Sequence, residues 1–415
     1  MSDAIKKYGR DTLRLIRERG LPLLPGGLGA PIQSYLQEFQ EIFLESRPPR
    51  LVLVGSSGAG KSAVVNAILG RPALPSPEKG RRSAASWHTV GGETGALDVL
   101  EARLEGPGKG EGPLRPSLRR ALLLPCPDVV LYVANAVDAA RDLSGESGQL
   151  EAMMAHIEET HHALPPLFLV VTHADEVPPV GGAGDSYAHA EKIDNIDAAV
   201  GELERSLANS PRTDPVVSIA VSSRLNFEEG LIASDSRWQI DQLVDALVDR
   251  LPRSTHMELA RAAGLKQLQR QIARRLGQTT ASLAAGIAAT PIPLADLPIL
   301  TSLQTAMLMA IGYISGRSMK ARSVAEFMSA MGVNVGVGFA ARQMARQLGK
   351  LLPVAGSVVS SAVAYATTAG LAHAAVAYFI DERSAREARD IFRRERDRHR
   401  REGKPPADGA DGSKH

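Results

Sequence analysis

The spacing of hydrophobic residues divides the chain into an alternating part and a helical part. Between Leu51 and Pro252, short apolar runs alternate with stretches in which apolar residues recur every three or four positions. The runs are LVLVG at 51–55, VLYVAN near 130, PLFLVV at 166–171 and PVVSIAV at 215–221. Strands that alternate with amphipathic helices predict an α/β domain with a parallel sheet covered by helices.

One segment breaks this alternation with two strand patterns in a row. Within residues 83–104, the runs SAASWHTV and ALDVLEARL flank the turn sequence GGETG. Two consecutive strands joined by a glycine-rich turn predict an antiparallel hairpin at the edge of the sheet.

The pattern outside this region is helical. Residues 3–18 and 31–46 form two helical patterns separated by a segment rich in glycine and proline, and strand patterns disappear after Pro252. The predicted organisation is an N-terminal helical segment at 1–49, an α/β domain at 50–252, a C-terminal all-α domain at 253–384, and a basic helix end with a disordered tail at 385–415.

Two stretches of the C-terminal part carry almost no charge. Residues 276–316 contain only Asp296, and residues 351–380 contain no charged side chain. Each stretch is long enough to span a bilayer, but their many small residues are equally suited to close packing in a soluble bundle. An arginine-rich helical pattern follows, so membrane contact through 276–316 and 351–401 stays open beside self-association or a buried bundle.

Composition limits the setting and the partners. The formal net charge of +2 gives no general attraction to nucleic acid, and no specific nucleic acid partner is expected. Cys126 is the only cysteine, which excludes an internal disulfide. The first residues lack the apolar core of a signal peptide, so we expect a cytoplasmic protein, either free or at the inner face of the membrane.

The first apolar run leads into a phosphate-binding sequence. The residues that would surround a triphosphate are Gly55, Ser56, Ser57, Gly58, Ala59, Gly60, Lys61, Ser62 and Ala63. Glycines let backbone N–H groups point inward, and the positive end of the following helix adds to the field. In this motif Lys61 would reach the β- and γ-phosphates and the Ser62 hydroxyl would bind Mg²⁺.

A second motif bears on the base. The strand FLVVT ends in Thr172, His173, Ala174 and Asp175, which resembles the guanine-reading motif of GTPases. A carboxylate at Asp175 could accept two hydrogen bonds from guanine, which adenine does not offer in that geometry. The alternative is a strand end whose aspartate caps the next loop.

The two motifs together resemble the Era-like branch of the translation-factor class of GTPases, over about residues 50–252. This resemblance implies a Ras-like sheet with one antiparallel edge strand, and a loop at Ser222 and Ser223 whose backbone meets the guanine carbonyl. The flanking helices resemble those of interferon-inducible and dynamin-like GTPases. The segments beginning TPIPLADLP and LLPVAG are similar to a bacterial helical domain of unknown function that follows such GTPase domains.

The chain departs from this family at several positions. The third family motif is represented by LEGPG, in which Glu105 replaces the aspartate that holds the Mg²⁺ water shell and Gly108 would donate its N–H to the γ-phosphate. Lys109 stands where several GTPases place a water-orienting glutamine, and His173 stands where lysine is usual. Compared with the family that the chain resembles, these departures predict slow GTP hydrolysis and weaker binding of guanine.

Two further groups of residues bear on metal binding. The switch residue that would close on Mg²⁺ is either Ser83 or Thr89. His156, His161 and His162 lie near the end of one helical pattern and lack the acids or cysteines that would complete a zinc site, so they predict capping or solvent-facing roles.

These observations predict a GTP-binding protein, a GTPase switch that forms GDP and phosphate with Mg²⁺ and passes its nucleotide state through the helical domain. Two alternatives stay open. One is a guanine-nucleotide-binding scaffold that does not hydrolyse GTP, and the other is an ATP-dependent P-loop enzyme.

Overall fold

In the computed structural model, contacts divide the chain into two compact units. The α/β unit is Pro48–Gly264, and the helical unit combines Met1–Arg47 with Leu265–His415. The structure describes residues 3–20, 29–74, 85–92, 95–104, 114–140, 143–180, 186–208, 210–228, 231–289, 296–317, 321–332 and 357–402.

The secondary structure elements follow in chain order. The amino-terminal helices are α1 (Asp3–Leu15) and α2 (Gly29–Phe43). The α/β unit contains β1 (Arg50–Gly55), α3 (Lys61–Leu69), β2 (Trp87–Gly92), β3 (Gly95–Arg103), α4 (Pro116–Ala121), β4 (Val129–Asn135), α5 (Ser144–His161), β5 (Leu167–Thr172), α6 (Ala190–Leu207), β6 (Val217–Ala220), β7 (Leu225–Glu228), β8 (Leu231–Asp235), α7 (Ile240–Arg250) and α8 (Arg253–Ala263). The carboxy-terminal helices are α9 (Lys266–Ala288), α10 (Asp296–Ile314), α11 (Ala321–Ala330), α12 (Ser357–Ala375) and α13 (Ala385–Glu402).

The predicted Ras-like sheet is confirmed. Its strand order is β2-β3-β1-β4-β5-β6, and all neighbours are parallel except the antiparallel edge pair β2 and β3. The central strands are buried along nearly their whole length, because helices cover both faces of a parallel sheet. Their sequences are therefore continuous apolar runs, without the alternation of a half-exposed strand.

Alternate residues of these strands face two helical layers. On one face, Val52, Tyr132 and Leu169 share a core with Met153 of α5 and Leu203 of α6. On the other face, α3, α7 and α8 pack against one another, and α8 also contacts β3. The apolar residues whose spacing predicts α7 are all buried: Ile240, Leu243, Val244, Leu247 and Val248. In the α6 pattern, Ile196, Leu203 and Leu207 are buried, and Ile193 and Val200 are partly buried.

A small antiparallel ribbon of β7 and β8 follows the sheet and was missed by the sequence analysis. The two strands are short, and the residues of β7 alternate between half-buried and exposed. They therefore lack the apolar runs that predicted the strands of the main sheet.

Small residues lie at the helix contacts of the helical unit. A Cβ on Gly277 of α9 would lie 2.4 Å from the Cβ of Ala372 in α12, and a Cβ on Gly370 would lie 3.1 Å from Phe392 in α13. Side chains at these glycines would separate the helices, so the small residues permit their close approach. Arg270 of α9 forms an ion pair with Asp381 at 2.5 Å.

The structure also bears on the two uncharged stretches. Within the described residues, Ser361–Ile380 is the one helical stretch that meets the length and hydropathy of a membrane span, and 72% of it is buried. Buried core helices of soluble proteins meet the same criteria. In the stretch 276–316, most of the described residues lie in α9 or α10, and the apolar part of α10, Ile299–Ile314, is shorter than a span.

Candidate nucleotide-binding site

The loop between β1 and α3 has the backbone that a phosphate-binding loop requires. Gly55 has a φ of 145°, and a Cβ there would lie 2.1 Å from the carbonyl oxygen of Val133, so no side chain fits. Gly60 is left-handed with a φ of 85° and precedes α3 without a side-chain cap on the helix. The first N–H groups of α3 therefore have no capping side chain, as anion binding at a helix N-terminus requires.

Lys61 folds back over this loop. Its Nζ donates hydrogen bonds to the carbonyl oxygens of Gly55 at 3.0 Å and Ser56 at 2.6 Å. The ammonium group therefore lies at the junction between the end of β1 and the start of the loop. This location is within the loop that would surround a phosphate.

Thr172 fixes the position of the phosphate loop. It is fully buried, and its hydroxyl lies 2.8 Å from the carbonyl oxygen of Ala59 and 3.0 Å from that of Ala134. The hydroxyl joins the phosphate loop to β4 and β5. Thr172, the first residue of the predicted guanine motif, therefore positions the phosphate loop.

An acidic residue that the sequence analysis missed lies beside Ser62. The Ser62 hydroxyl donates to Glu101 Oε2 on β3 at 3.2 Å, and the other carboxylate oxygen, Oε1, is buried without a hydrogen-bond partner. Burial raises the pKa of the Glu101 carboxyl, against smaller lowering effects of the Ser62 hydrogen bond and the Lys61 charge. A buried, unpaired carboxylate oxygen beside a serine hydroxyl is a suitable donor set for Mg²⁺, which prefers oxygen ligands.

The base end of the site is built on the turn after β5. His173 adopts a left-handed φ of 57°, and its Nδ1 lies 3.2 Å from Glu176 Oε1. Asp175 is mostly buried and forms an ion pair between its Oδ2 and Arg224 Nη1 at 3.3 Å. The turn therefore presents a carboxylate whose present partner is a largely exposed arginine.

Lys192 of α6 fixes this turn from inside. Its side chain is fully buried, and Nζ donates to the carbonyl oxygens of Asp175 at 2.9 Å and Val177 at 2.6 Å. The ammonium also lies 5.5 Å from the centre of the Tyr187 ring. A buried lysine without these partners would be strongly destabilising, so the contacts explain its place in the core.

The loop after β6 is held by backbone pairing. Ser222 is buried and exchanges backbone hydrogen bonds with Trp238 at 3.1 and 3.0 Å. Trp238 in turn stacks on Tyr187, with ring centres 4.2 Å apart. Ser223, the next residue, reaches the candidate cleft.

The phosphate loop and the base turn open into one cleft of about 970 Å³. Lys61, Ser62, His173, Asp175 and Ser223 all line it. Three lining arginines and two lining glutamates were not identified from sequence: Arg103, Arg115, Arg224, Glu101 and Glu176. Position in the sheet could have indicated two of them, because Glu101 and Arg103 end the strand that pairs with β1.

Several predicted residues lie outside the described part of the chain. These are Ser83, Glu105, Gly108 and Lys109. Thr89 is described, and its hydroxyl donates to Asp98 Oδ1 across the hairpin at 2.6 Å. His156 and His161 face backbone carbonyl oxygens of Arg119 and Leu122, and His162 is the left-handed C-cap residue directly after α5.

Comparisons with known proteins found structural likeness only. No protein-family model and no curated protein sequence matches the chain. Toc33 from Arabidopsis thaliana in complex with GDP and Mg²⁺ aligns at 19% identity and a TM-score of 0.32, covering 57% of this chain and 95% of that one. A variant of Era from Aquifex aeolicus bound to GDP·AlF4⁻ aligns at 16% identity and a TM-score of 0.30, covering 56% and 66%. LeoA, a bacterial dynamin GTPase from ETEC, aligns at 13% identity and a TM-score of 0.36, covering 97% and 96%.

The α/β unit has the fold of a P-loop GTPase domain. Its own strand order, antiparallel edge pair and glycine-rich loop between β1 and α3 define this fold. The resemblance of the C-terminal helices to a domain of unknown function stays a prediction.

Proposed function

We propose that the chain is a guanine-nucleotide-binding protein whose α/β unit binds GTP and GDP with Mg²⁺ and hydrolyses GTP slowly to GDP and phosphate. The observation that carries this proposal is the single cleft lined at one end by Lys61 and Ser62 and at the other by Asp175. A nucleoside triphosphate matches this arrangement, because it has phosphates at one end and a base at the other.

Each residue has a defined task in this proposal. Lys61 would leave the carbonyl oxygens of the loop and pair with the β- and γ-phosphates, and the loop N–H groups would hold the phosphate oxygens. Ser62 and Glu101 would hold Mg²⁺, which neutralises charge on the phosphates. Asp175 would exchange Arg224 for the N1–H and amino group of guanine.

Hydrolysis would depend on positioning and on charge stabilisation, because phosphoryl transfer needs little covalent chemistry from the protein. Lys109 stands at the sequence position of the water-orienting glutamine, which supports slow intrinsic turnover. Arg103 and Arg115 line the cleft and supply positive charge there. A scaffold without hydrolysis is the second candidate, and phosphate release measured over hours with GTP separates the two.

Nucleotide competition on the purified full chain tests the proposal directly. A fluorescent GTP analogue is bound with Mg²⁺ and displaced with GTP, GDP or ATP. We expect GTP and GDP to displace it at least about 100-fold more effectively than ATP, because adenine leaves Asp175 without donors. Equal displacement by ATP would favour the ATP-dependent enzyme.

We expect Glu101→Gln to change stability and Mg²⁺-dependent binding in opposite directions. The amide keeps the acceptor for Ser62 but removes a buried charge, so the nucleotide-free protein should unfold at a higher temperature at neutral pH. The loss of an anionic metal ligand should weaken GTP binding in Mg²⁺ roughly tenfold or more. Differential scanning fluorimetry and calorimetry measure the two effects.

Asp98→Asn is the matched control for this substitution. Asp98 lies on the same strand and keeps an acceptor for Thr89 after the change, but it does not line the cleft. Its Mg²⁺-dependent affinity should stay at the wild-type value. A Glu101→Gln protein that binds GTP in Mg²⁺ as tightly as wild type would remove Glu101 from the metal site.

We further propose that the protein acts in the cytoplasm and contacts an anionic membrane surface through α13. Four exposed arginines of this helix would face lipid headgroups: Arg393, Arg394, Arg400 and Arg401. A basic residue near an anionic surface contributes about 1 kcal/mol, and salt screens this attraction. The full chain should therefore float with vesicles of phosphatidylserine and phosphatidylcholine at low salt, and less at high salt.

Replacing these four arginines with glutamine should abolish flotation while GTP binding persists. Vesicles of phosphatidylcholine alone are the control, and they should recruit little protein. If wild type and the glutamine variant float equally, the arginines have no part in membrane contact. If neither floats, the helical unit is better interpreted as a protein-binding or self-associating bundle.

A further inference from the structure

Three side chains that commonly bind metal ions meet on adjacent helices of the helical unit. His373 lies on α12, and Glu395 and His399 lie on α13. One ring nitrogen of each histidine and one carboxylate oxygen all lie within 4.8 Å of one another. All three side chains are half-buried, and none belongs to the nucleotide cleft.

The helix geometry explains why these residues meet. Glu395 and His399 are four positions apart, which places them on the same face of α13. The α12 helix passes close to that face because Gly370 contacts Phe392 with no side chain between them. His373, three residues after this glycine, therefore lies alongside the pair. The Tyr365 ring packs edge-on against His399, with centres 5.5 Å apart.

One carboxylate oxygen of Glu395 makes an ion pair but no hydrogen bond. Oε2 is buried and accepts no hydrogen bond, although Arg398 Nη2 lies 3.0 Å away as an ion-pair partner. His399 Nε2 lies 3.9 Å from the same oxygen. Buried polar atoms are normally satisfied, so an oxygen of this kind beside two imidazoles is a position that a cation would complete.

We propose that His373, Glu395 and His399 form a binding site for a first-row transition-metal dication, with Zn²⁺ as the first candidate. Two imidazole nitrogens and one carboxylate oxygen are donors that Zn²⁺ uses, whereas Ca²⁺ and Mg²⁺ prefer sites made of oxygen alone. The donors of a tetrahedral zinc site lie roughly 3.4 Å apart, so half-buried side chains need only small movements to close on the ion. The bound ion would link α12 to α13, with a fourth position for water.

Arg398 competes with the metal for Glu395. Its side chain is 53% exposed, so it can move into solvent when an ion binds. Removing it leaves all three ligands in place and frees the carboxylate. Arg398→Ala should therefore bind Zn²⁺ more tightly than wild type, by up to about fivefold for the loss of one competing exposed ion pair.

Zinc binding to the untagged full chain tests the site. The protein is treated with a chelator, dialysed, and titrated with Zn²⁺ alone in competition with a chromophoric chelator. We expect one tight Zn²⁺ per chain, and affinity at least about tenfold lower in His373→Gln and in His399→Gln. His189→Gln, an exposed histidine of the α/β unit, is the control and should match wild type.

Circular dichroism identifies any variant that fails to fold, and Co²⁺ supplies a second measurement on wild type. Co²⁺ bound to nitrogen and oxygen donors in a tetrahedral site should absorb visible light strongly, and Zn²⁺ should abolish that absorption. The proposal is overturned if the Zn²⁺ affinity of wild type is no higher than that of a variant in which all three ligands are replaced. It is also overturned if His189→Gln loses affinity equally, or if Arg398→Ala binds Zn²⁺ no more tightly than wild type.

Discussion

Lys61→Ala should reduce GTP affinity by at least about 30-fold while the protein stays folded. Removing one partner of a charge-assisted phosphate contact costs about 2–5 kcal/mol, and the lower end of that range corresponds to this factor. The Nζ group of Lys61 also makes two hydrogen bonds to the loop carbonyls, at 3.0 and 2.6 Å. Net contributions of about 1 kcal/mol each predict only a small fall in the unfolding temperature without nucleotide.

Isothermal calorimetry with GTP and Mg²⁺ measures the affinity, and thermal unfolding without nucleotide measures the fold. Lys266→Ala is the matched control, because it removes the same charge from an exposed position of α9. Its affinity should equal that of wild type. Undiminished GTP binding by Lys61→Ala would contradict the assignment of the phosphate loop.

Sequence patterns predicted the main sheet because its central strands are buried on both faces. Burial on both faces demands continuous apolar runs, and those runs are visible without a structure. The glycine positions of the phosphate loop were equally readable, because close backbone contact at Gly55 and a left-handed conformation at Gly60 exclude most side chains. The ribbon of β7 and β8 was not predicted, because its strands are short and largely exposed.

The tertiary partners in the cleft were harder to predict. Glu101 looks like an ordinary polar position in a strand, and only the pairing of β3 with β1 brings it beside Ser62. Lys192 resembles a surface residue of an amphipathic helix, yet it is buried beneath the base turn. Its role depends on contacts with residues distant in sequence, which local periodicity does not encode.

The histidine prediction illustrates the same limit. His156, His161 and His162 are clustered in the sequence, whereas the structure brings together His373 and His399 from different helices. These two histidines are 26 positions apart, so the short spacings that indicate metal ligands in a sequence do not include them. A helix contact mediated by Gly370 created the proximity, and its consequence becomes visible only when the helices are packed.

Asp175→Asn should reverse the base preference of the protein. Guanine presents N1–H and an amino group, and both can donate to the Asp175 carboxylate. Xanthine presents a carbonyl in place of the amino group, and an asparagine amide can donate to it. We expect GTP affinity to fall on the order of 100-fold, because a charged acceptor of two hydrogen bonds is lost. Xanthosine triphosphate should bind the variant more tightly than it binds wild type.

Two control variants isolate the role of the carboxylate. Asp197→Asn makes the same chemical change at an exposed position of α6 and should leave both affinities unaltered. Arg224→Ala removes the present partner of Asp175 but keeps the carboxylate. Since an exposed ion pair contributes at most about 1 kcal/mol, GTP should bind this variant up to about fivefold more tightly.

The exchange of preference is what distinguishes base recognition from a structural role. An aspartate that merely capped the turn would, when changed to asparagine, weaken both nucleotides together through the loss of loop order. Competition titrations with GTP, ATP and xanthosine triphosphate on wild type and variant separate these outcomes. A parallel loss of all three nucleotides, or an unchanged order of preference, would assign Asp175 to the turn. A selective gain for xanthosine triphosphate would assign it to the base, because only a direct contact with the purine ring can discriminate the carbonyl from the amine.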